Sequence, residues 1–180
     1  MPRRLAFGHC ECERNKMLKR KPDFIIGQPD DPYLLRWWVI PRNRWFNIYL
    51  HKFLRSDDDR ATHDHPWPSC SIILKGGYWE HVDKGFRGTH RYWRSPGTIR
   101  MRKASSAHRI ELKYLRHVCT EINPKVVMRV KEQPAWTIFI TGPKIREWGF
   151  HCPNGWKHWR EFCGVTEGEA KGDEKGPGCL

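Results

Sequence analysis

The chain contains no apolar run long enough to cross a membrane. Its longest apolar runs, residues 37–40 and 136–141, are only as long as single β-strands. The N-terminus, Met1-Pro2-Arg3-Arg4, lacks the apolar stretch of a secretory signal. The chain also lacks an internal repeat and any sustained helical periodicity. We therefore expect a cytoplasmic protein that does not contact a membrane and is not built from helices.

A disulfide framework is also missing. The seven cysteines are an odd number, and they are scattered at positions 10, 12, 70, 119, 152, 163 and 179. This pattern and a cytoplasmic setting predict free thiols. A zinc site is the alternative for some of them, with His9, Cys10 and Cys12 on one side and His151, Cys152 and Cys163 on the other. Its Cys10-x-Cys12 spacing is tighter than that of most structural zinc motifs.

Acidic residues are few relative to basic ones, which gives a formal net charge of +13. Such an excess can indicate nucleic-acid binding, but the basic residues are spread along the chain and the motifs of common nucleic-acid modules are absent. A solvated basic surface or an anionic small-molecule partner is the preferred interpretation. A nucleic-acid-binding protein would instead show an affinity that falls steeply with salt and does not depend on histidines.

Short apolar runs separated by turn signals dominate the chain, and ten tryptophans provide large side chains for a core. We predict strands at 33–40, 45–54, 69–74, 78–82, 90–94, 98–102, 108–112, 136–141 and 146–150. The turn Gly76-Gly77 is interpreted as a β-hairpin, and residues 113–134 as a basic insertion with a short helix at 115–119. The predicted organisation is an irregular basic arm (1–30), one antiparallel β-barrel domain (31–163) and a disordered, Gly-rich acidic tail (164–180).

The segment His63-Asp64-His65 is the strongest functional signal. Residues two apart in a strand point to the same face, so both imidazoles would point the same way. His108 is the candidate for a third ligand, and three imidazoles suit zinc, iron, copper or nickel. Asp57, Asp58, Asp59 and Asp64 are candidates to orient the rings. The alternative is three histidines hydrogen-bonded in a polar core.

The ordered set His63-x-His65, Gly76, Pro96-Gly97 and His108 resembles the two motifs of the cupin superfamily. The resemblance implies a jelly-roll β-barrel that binds one metal ion. The carboxylate that cupins carry four or five residues after His-x-His is absent, because Ser69 and Cys70 stand there. That departure is similar to thiol dioxygenases, in which three histidines bind Fe(II). Residues 33–38, 63–67, 139–143 and 148–153 resemble segments of proteins from phages and prophages, which would place the protein in a host cytoplasm.

The resemblance implies an iron(II) oxygenase acting on a small polar or anionic substrate, with ligand positions left for substrate and dioxygen. Zinc, manganese or nickel would instead imply a hydrolase or an isomerase. The rival from another class is a cupin without catalytic activity that binds a nucleotide or another anion, such as a viral sponge for a host signal. Cupins often pair through strand edges, so a homodimer is compatible with the resemblance.

Further site residues are expected around the histidines. Glu80, Cys70 and Tyr49 are the candidates for catalysis, and His51, Arg36 and Arg60 for substrate binding, since Arg suits bidentate contact with a carboxylate or phosphate. Arg55 is a further candidate for that clamp. For Glu80 the alternative is a side chain that points outward from an exposed strand. For Cys70 it is a small buried apolar residue.

Overall fold

The computed structural model describes residues 20–28, 30–57, 61–120, 126–165 and 176–180. Strands dominate them, with one 3-10 turn at Gly85–Arg87 and one short helix, α1 (Trp159–Cys163). The strands are β1 (Phe24–Gly27), β2 (Pro32–Trp38), β3 (Asn47–Phe53), β4 (Thr62–His63), β5 (Ser69–Lys75), β6 (Tyr78–Asp83), β7 (Thr89–Arg94), β8 (Ile99–Arg102), β9 (His108–Leu112), β10 (Tyr114–Thr120), β11 (Val126–Glu132), β12 (Ala135–Thr141), β13 (Gly149–Cys152) and β14 (Gly155–His158). In this part of the chain no helix is long and apolar enough to cross a membrane.

The strands form two six-stranded antiparallel sheets and one separate hairpin. The first sheet has the order β1-β2-β3-β12-β5-β8, the second has the order β14-β13-β4-β9-β6-β7, and β10 pairs with β11. From β3 to β9 the chain passes repeatedly from one sheet to the other. The inner strands β3-β12-β5-β8 and β4-β9-β6-β7 therefore have the pairing of an eight-stranded jelly roll. The prediction of an all-β antiparallel jelly roll is confirmed, although the strands form two facing sheets rather than one closed barrel.

Alternation of side chains along the strands places an apolar core at one end of the space between the sheets. The buried cluster consists of Leu34, Phe53, Ile73, Tyr78, Ile110, Leu112 and Ala135. Some members are paired positions on neighbouring strands of one sheet, as Phe53 is with Ala135 and Tyr78 with Leu112. Further along the same strands, the inward positions carry polar groups such as His51, Glu80 and His108. The fold thus has an apolar end and a polar end, and the polar end holds the candidate site.

The turn Gly76-Gly77 does not form the predicted hairpin. β5 and β6 lie in different sheets, so the turn carries the chain across the jelly roll. Gly76 has φ of 80°, and a Cβ there would lie 2.4 Å from the carbonyl oxygen of Pro134. Only glycine fits such a close approach. The Gly-Gly pair correctly predicts a turn, but the same pair is compatible with a hairpin and with a crossing between sheets.

Other segments also differ from the sequence prediction. Residues 24–27, placed in the irregular arm, form β1 and pair with β2. Residues 115–119, predicted as a helix, belong to β10, whose partner is β11. Periodicity alone does not separate helix from strand in such short segments, so long-range pairing decides the outcome. Residues 1–19 of the arm lie outside the described residues.

The C-terminal residues are attached to the second sheet by a disulfide between Cys152 and Cys179. The prediction of free thiols is therefore wrong for this pair, while Cys70 is a free thiol. Gly178 N donates to Phe162 O at 2.9 Å, and Lys157 Nζ donates to Leu180 O at 2.6 Å. We expected disorder throughout 164–180, yet residues 176–180 pack against α1 and β14. Residues 166–175 lie outside the described residues.

Replacing Cys179 by serine should lower the free energy of unfolding by about 3 kcal/mol, because the crosslink limits the entropy of the unfolded chain. Denaturant unfolding without reductant measures the effect. Cys70→Ser is the matched control, since Cys70 is a free thiol and should change stability much less. Equal unfolding midpoints for the wild type and Cys179→Ser would contradict the disulfide.

Candidate metal centre

The three predicted histidines come together from two strands and a loop. His63 on β4 lies directly opposite His108 on β9. His65 lies just beyond the short strand β4, and its backbone N donates to Ala104 O at 3.0 Å. The three ring centroids lie 5.1–5.2 Å from one another. The three rings therefore converge. Of His63 and His65, which were both expected on one strand, only His63 lies in a strand.

The separation of the histidine nitrogens fits a single metal ion. One candidate ligand atom from each residue lies within 4.8 Å of the other two. The Nε2 atoms of His65 and His108 are 2.9 Å apart. Two imidazole nitrogens bound at right angles to one ion would be about 3.0 Å apart. The cluster can thus accept an ion on one face without a large rearrangement.

Glu80 lies behind His108 and not beside the three ligand nitrogens. Its carboxylate is fully buried, and Oε1 lies 3.1 Å from His108 Nδ1. Arg102 binds the same carboxylate through Nε at 2.7 Å and through Nη2, and Arg94 Nε binds Oε2 at 2.7 Å. The interpretation of Glu80 as an exposed, outward side chain is therefore wrong. The carboxylate thus lies on the Nδ1 side of His108, and Nε2 of the same ring faces the other histidines.

The protonation states favour metal binding. Burial and the charge of Arg102 lower the pKa of His108 to about 4, against the opposing effect of Glu80. Desolvation, followed by the neighbouring His108 and His63, lowers the pKa of His65 well below its usual range. Burial opposes ionisation of Glu80, but His108 and Arg102 outweigh it and hold the pKa of this carboxyl far below its usual range. At neutral pH, His65 and His108 are thus neutral imidazoles, the form that binds metals.

Asp57 is the aspartate near the cluster. Its Oδ2 lies 3.9 Å from His63 Nδ1 and accepts from Ile110 N at 2.6 Å. Tyr33 donates its hydroxyl proton to the other oxygen. Asp57 is therefore held on the Nδ1 side of His63, which leaves Nε2 for a metal ion. Asp58 and Asp59 lie outside the described residues.

Asp64, between the two histidines, has a different role. Its buried carboxylate accepts from Gly149 N at 2.9 Å, Arg146 Nη1 at 2.6 Å and Trp156 Nε1 at 3.1 Å. His151 Nε2 lies 3.2 Å from it. These contacts connect the His-x-His segment to β13 and β14. Asp64 thus positions the backbone that carries His63 and His65 and does not orient their rings.

The histidines face a cavity of about 370 Å³ between the two sheets. A large part of its wall is aromatic, from Tyr33, Phe53, Trp67, Tyr78, Phe139, Trp148, Phe150, Trp159 and Phe162. The rings of Trp148 and Phe150 lie 6.3 and 5.8 Å from that of His63. α1 closes this side, because Trp159 stacks on Trp148 at 5.7 Å and Phe162 on Phe150 at 3.6 Å. The candidate metal centre is thus enclosed by rings.

Two of the residues predicted to bind substrate line the cavity. Arg36 Nε donates to His51 Nε2 at 2.9 Å, and the Arg36 guanidinium lies 4.7 Å from the centre of the Tyr49 ring. Arg55 also lines the cavity. Burial and the charge of Arg36 hold the pKa of His51 well below its usual range. His51 is therefore a neutral acceptor that fixes the guanidinium of Arg36.

The other predicted site residues lie elsewhere. Tyr49 is buried behind the cavity and stacks on His51 with centroids 5.8 Å apart. Cys70 is half-buried on the face of β5 opposite Ser71, which does line the cavity. Arg60 lies outside the described residues, as do His9, Cys10 and Cys12. The alternative zinc site loses one ligand in any case, because Cys152 is in the disulfide with Cys179.

The jelly-roll pairing and the three converging histidines occupy the positions that the sequence motifs predict for a cupin. The fold is of the cupin type. No family model matches the chain, and no curated protein matches it. The sequence alone therefore assigns no activity to this cupin-type domain.

Solved structures similar to this chain are distant in sequence. A protein from Ralstonia eutropha named as a candidate mannose-6-phosphate isomerase has a TM-score of 0.45 and 13% identity, over 67% of this chain and 92% of that one. A Klebsiella pneumoniae protein with a double-stranded β-helix domain has a TM-score of 0.42 and 14% identity, over 69% and 89%. A cupin superfamily protein from Desulfitobacterium hafniense has a TM-score of 0.41 and 12% identity, over 70% and 84%. These similarities transfer no activity.

Glu80→Gln should lower the free energy of unfolding at pH 7 by about 3–5 kcal/mol, because Arg94 and Arg102 keep their charges and lose the buried counter-charge. Denaturant unfolding measures the loss. Glu111→Gln is the control, since Glu111 pairs with His81 and Arg91 on the outer face of the second sheet, and it should cost less than about 1 kcal/mol.

The difference between wild type and Glu80→Gln should also depend on pH. Because the folded pKa of Glu80 is depressed, its stabilising effect is complete above about pH 4.3, the ordinary carboxyl value, and is lost as the pH falls towards the folded pKa. Unfolding curves at a series of pH values down to pH 3 measure this. A difference that grows on acidification would contradict the assignment.

Proposed function

We propose that the protein is a mononuclear metal-dependent enzyme of the cupin type, an iron(II) oxygenase acting on a small anionic substrate. The observation that carries the proposal is the convergence of three histidine nitrogens on a cavity that also contains the guanidinium of Arg36. A metal site with only three protein ligands leaves positions open for a substrate. A structural site would be expected to be closed by a fourth protein ligand.

The residues of the chain would hold and shield the reaction. His63, His65 and His108 would bind the ion on one face, with His108 oriented by Glu80. Arg36, fixed by His51, would bind the anionic group of the substrate. The aromatic wall that α1 completes would exclude water from the reacting atoms. A bound ferrous ion would supply the redox chemistry that these side chains lack.

The choice of iron rests on the ligand set. Among the described residues, the cluster contains imidazoles and no carboxylate, since Glu80 approaches only the far nitrogen of His108. The motif of three histidines without the cupin carboxylate resembles that of thiol dioxygenases. Imidazole also suits zinc and nickel. Those metals, or manganese, would favour hydrolysis or isomerisation.

Elemental mass spectrometry of the tag-free protein tests the metal site. We expect close to one iron per chain, and loss of that iron in the His63→Ala/His65→Ala double variant. His90→Ala is the control, because His90 is exposed on β7, away from the cluster. Protein that stays metal-free after anaerobic loading with iron, zinc, manganese and nickel would overturn the proposed enzyme.

A non-catalytic anion-binding protein is the second candidate function. The observation that favours it is Arg36, which forms no ion pair with any acidic side chain in the described part of the chain and offers an anion site independent of metal. His108→Ala separates the two functions. For the enzyme, the iron-loaded wild type should take up oxygen with a panel of small acids and thiols. His108→Ala should lose this uptake, while its near-ultraviolet circular dichroism is unchanged. For the binding protein, even the iron-loaded wild type should show no uptake.

A further inference from the structure

We propose that the cavity binds an aromatic carboxylate, with its carboxylate on Arg36 and its ring between the aromatic walls, directed towards the histidine cluster. This inference deepens the proposed function and rests on it in one respect: the ring is placed next to the metal centre. It narrows the small polar or anionic substrate expected from the sequence to a flat anion with an apolar ring. Three features of the cavity lead to it in successive steps: the charge, the orientation of the guanidinium and the walls.

The first step is a positive charge without a protein counter-charge. Arg36 lines the cavity and is partly buried, and no acidic side chain of the described residues lies within ion-pair distance of it. Its contacts are with the neutral His51 and the face of Tyr49. Removing a guanidinium from water without a counter-ion is unfavourable. An anionic ligand would supply the missing charge.

The second step is the direction of the guanidinium. Its Nε donates to His51 Nε2, so the rotation of the planar group is fixed. The two Nη groups form no hydrogen bond with any described residue. Tyr49 stacks on His51 and lies below the guanidinium, which holds the plane from a second side. A planar fork fixed in this way suits a carboxylate, which accepts two parallel hydrogen bonds.

The third step is the surface between Arg36 and the metal centre. Phe139 connects the two, since its ring centroid lies 5.1 Å from that of His51 and 5.9 Å from that of His65. Trp148 and Phe150, which contact His63, form another part of the wall. Rings in offset or edge contact with these walls would bury their faces. A short polar acid would reach Arg36 but leave the rings in contact with water.

The cavity size agrees with this ligand class. About 370 Å³ lies within the range typical of small-molecule sites, and its wall combines aromatic side chains with the guanidinium of Arg36 at one place and the histidines at another. A single ring with a carboxylate fits this balance. The ring edge furthest from the carboxylate would then face His63 and His65, where the proposed reaction takes place.

Calorimetric titration of metal-free wild-type protein with four probes tests the inference. The probes are benzoate, its neutral analogue benzamide, cyclohexanecarboxylate with the same charge but no flat ring, and acetate with the charge alone. We expect benzoate to bind tightest and each of the others at least about tenfold more weakly, the effect of one charge-assisted contact or one ring contact. Benzamide or acetate binding as tightly as benzoate would overturn the proposal, and equal binding of cyclohexanecarboxylate would overturn its aromatic part.

Variants of Arg36 assign the carboxylate subsite. Arg36→Gln should lower benzoate affinity about tenfold and remove the preference over benzamide. Arg36→Lys keeps the charge, loses the fork and should fall between the two. Arg91→Gln is the control, because Arg91 lies over Trp79 on the outer face and should leave benzoate affinity unchanged. Unchanged benzoate affinity in both Arg36 variants, folded by circular dichroism, would overturn the assignment.

The two proposals fail separately. Benzoate binding that depends on Arg36, in a protein that takes up no metal, would overturn the enzyme and support the ligand class. Stoichiometric metal bound by the histidines, without benzoate binding in the metal-free or the metal-loaded protein, would overturn the ligand class and leave the metal centre in place.

Discussion

The buried carboxylate of Glu80 is the contact on which the candidate site depends. It joins His108 on β9, Arg94 on β7 and Arg102 on β8, so it connects the two sheets of the jelly roll through charge. Three positive or polar groups around one carboxylate keep it ionised although it is fully buried. The same contact holds the ring of His108, and with it the third corner of the histidine triangle. Stability of the polar end and geometry of the metal centre therefore have one origin.

The apolar and polar ends of the jelly roll have different roles. The cluster of Phe53, Tyr78 and Leu112 holds the sheets together, and a space that the sheets do not fill extends from this cluster to the histidines. Arg36 and the histidines lie on the walls of this space, on opposite sheets. Their separation is set by the packing of the sheets, and the rigid core therefore fixes how long a ligand can be.

The sequence identified the histidines because their spacing and order carry information that does not depend on exact strand bounds. His65 lies outside β4, yet it still converges with His63. The role of Glu80 was not predictable, since its partners Arg94 and Arg102 arrive from two other strands and only the folded chain brings them together. The Gly76-Gly77 turn was located, but its geometry serves both a hairpin and a crossing between sheets. The disulfide joins cysteines that are 27 residues apart, and no local pattern marks that pair.

The position of α1 in the chain determines when the last wall of the cavity is synthesised. The eight jelly-roll strands are complete at β12, and the three histidines belong to segments that precede it. Trp159 and Phe162, which close the cavity, follow later and are attached through the segment that carries Cys179. Synthesis from the N-terminus therefore delivers the three histidines before the segment that closes this side of the cavity.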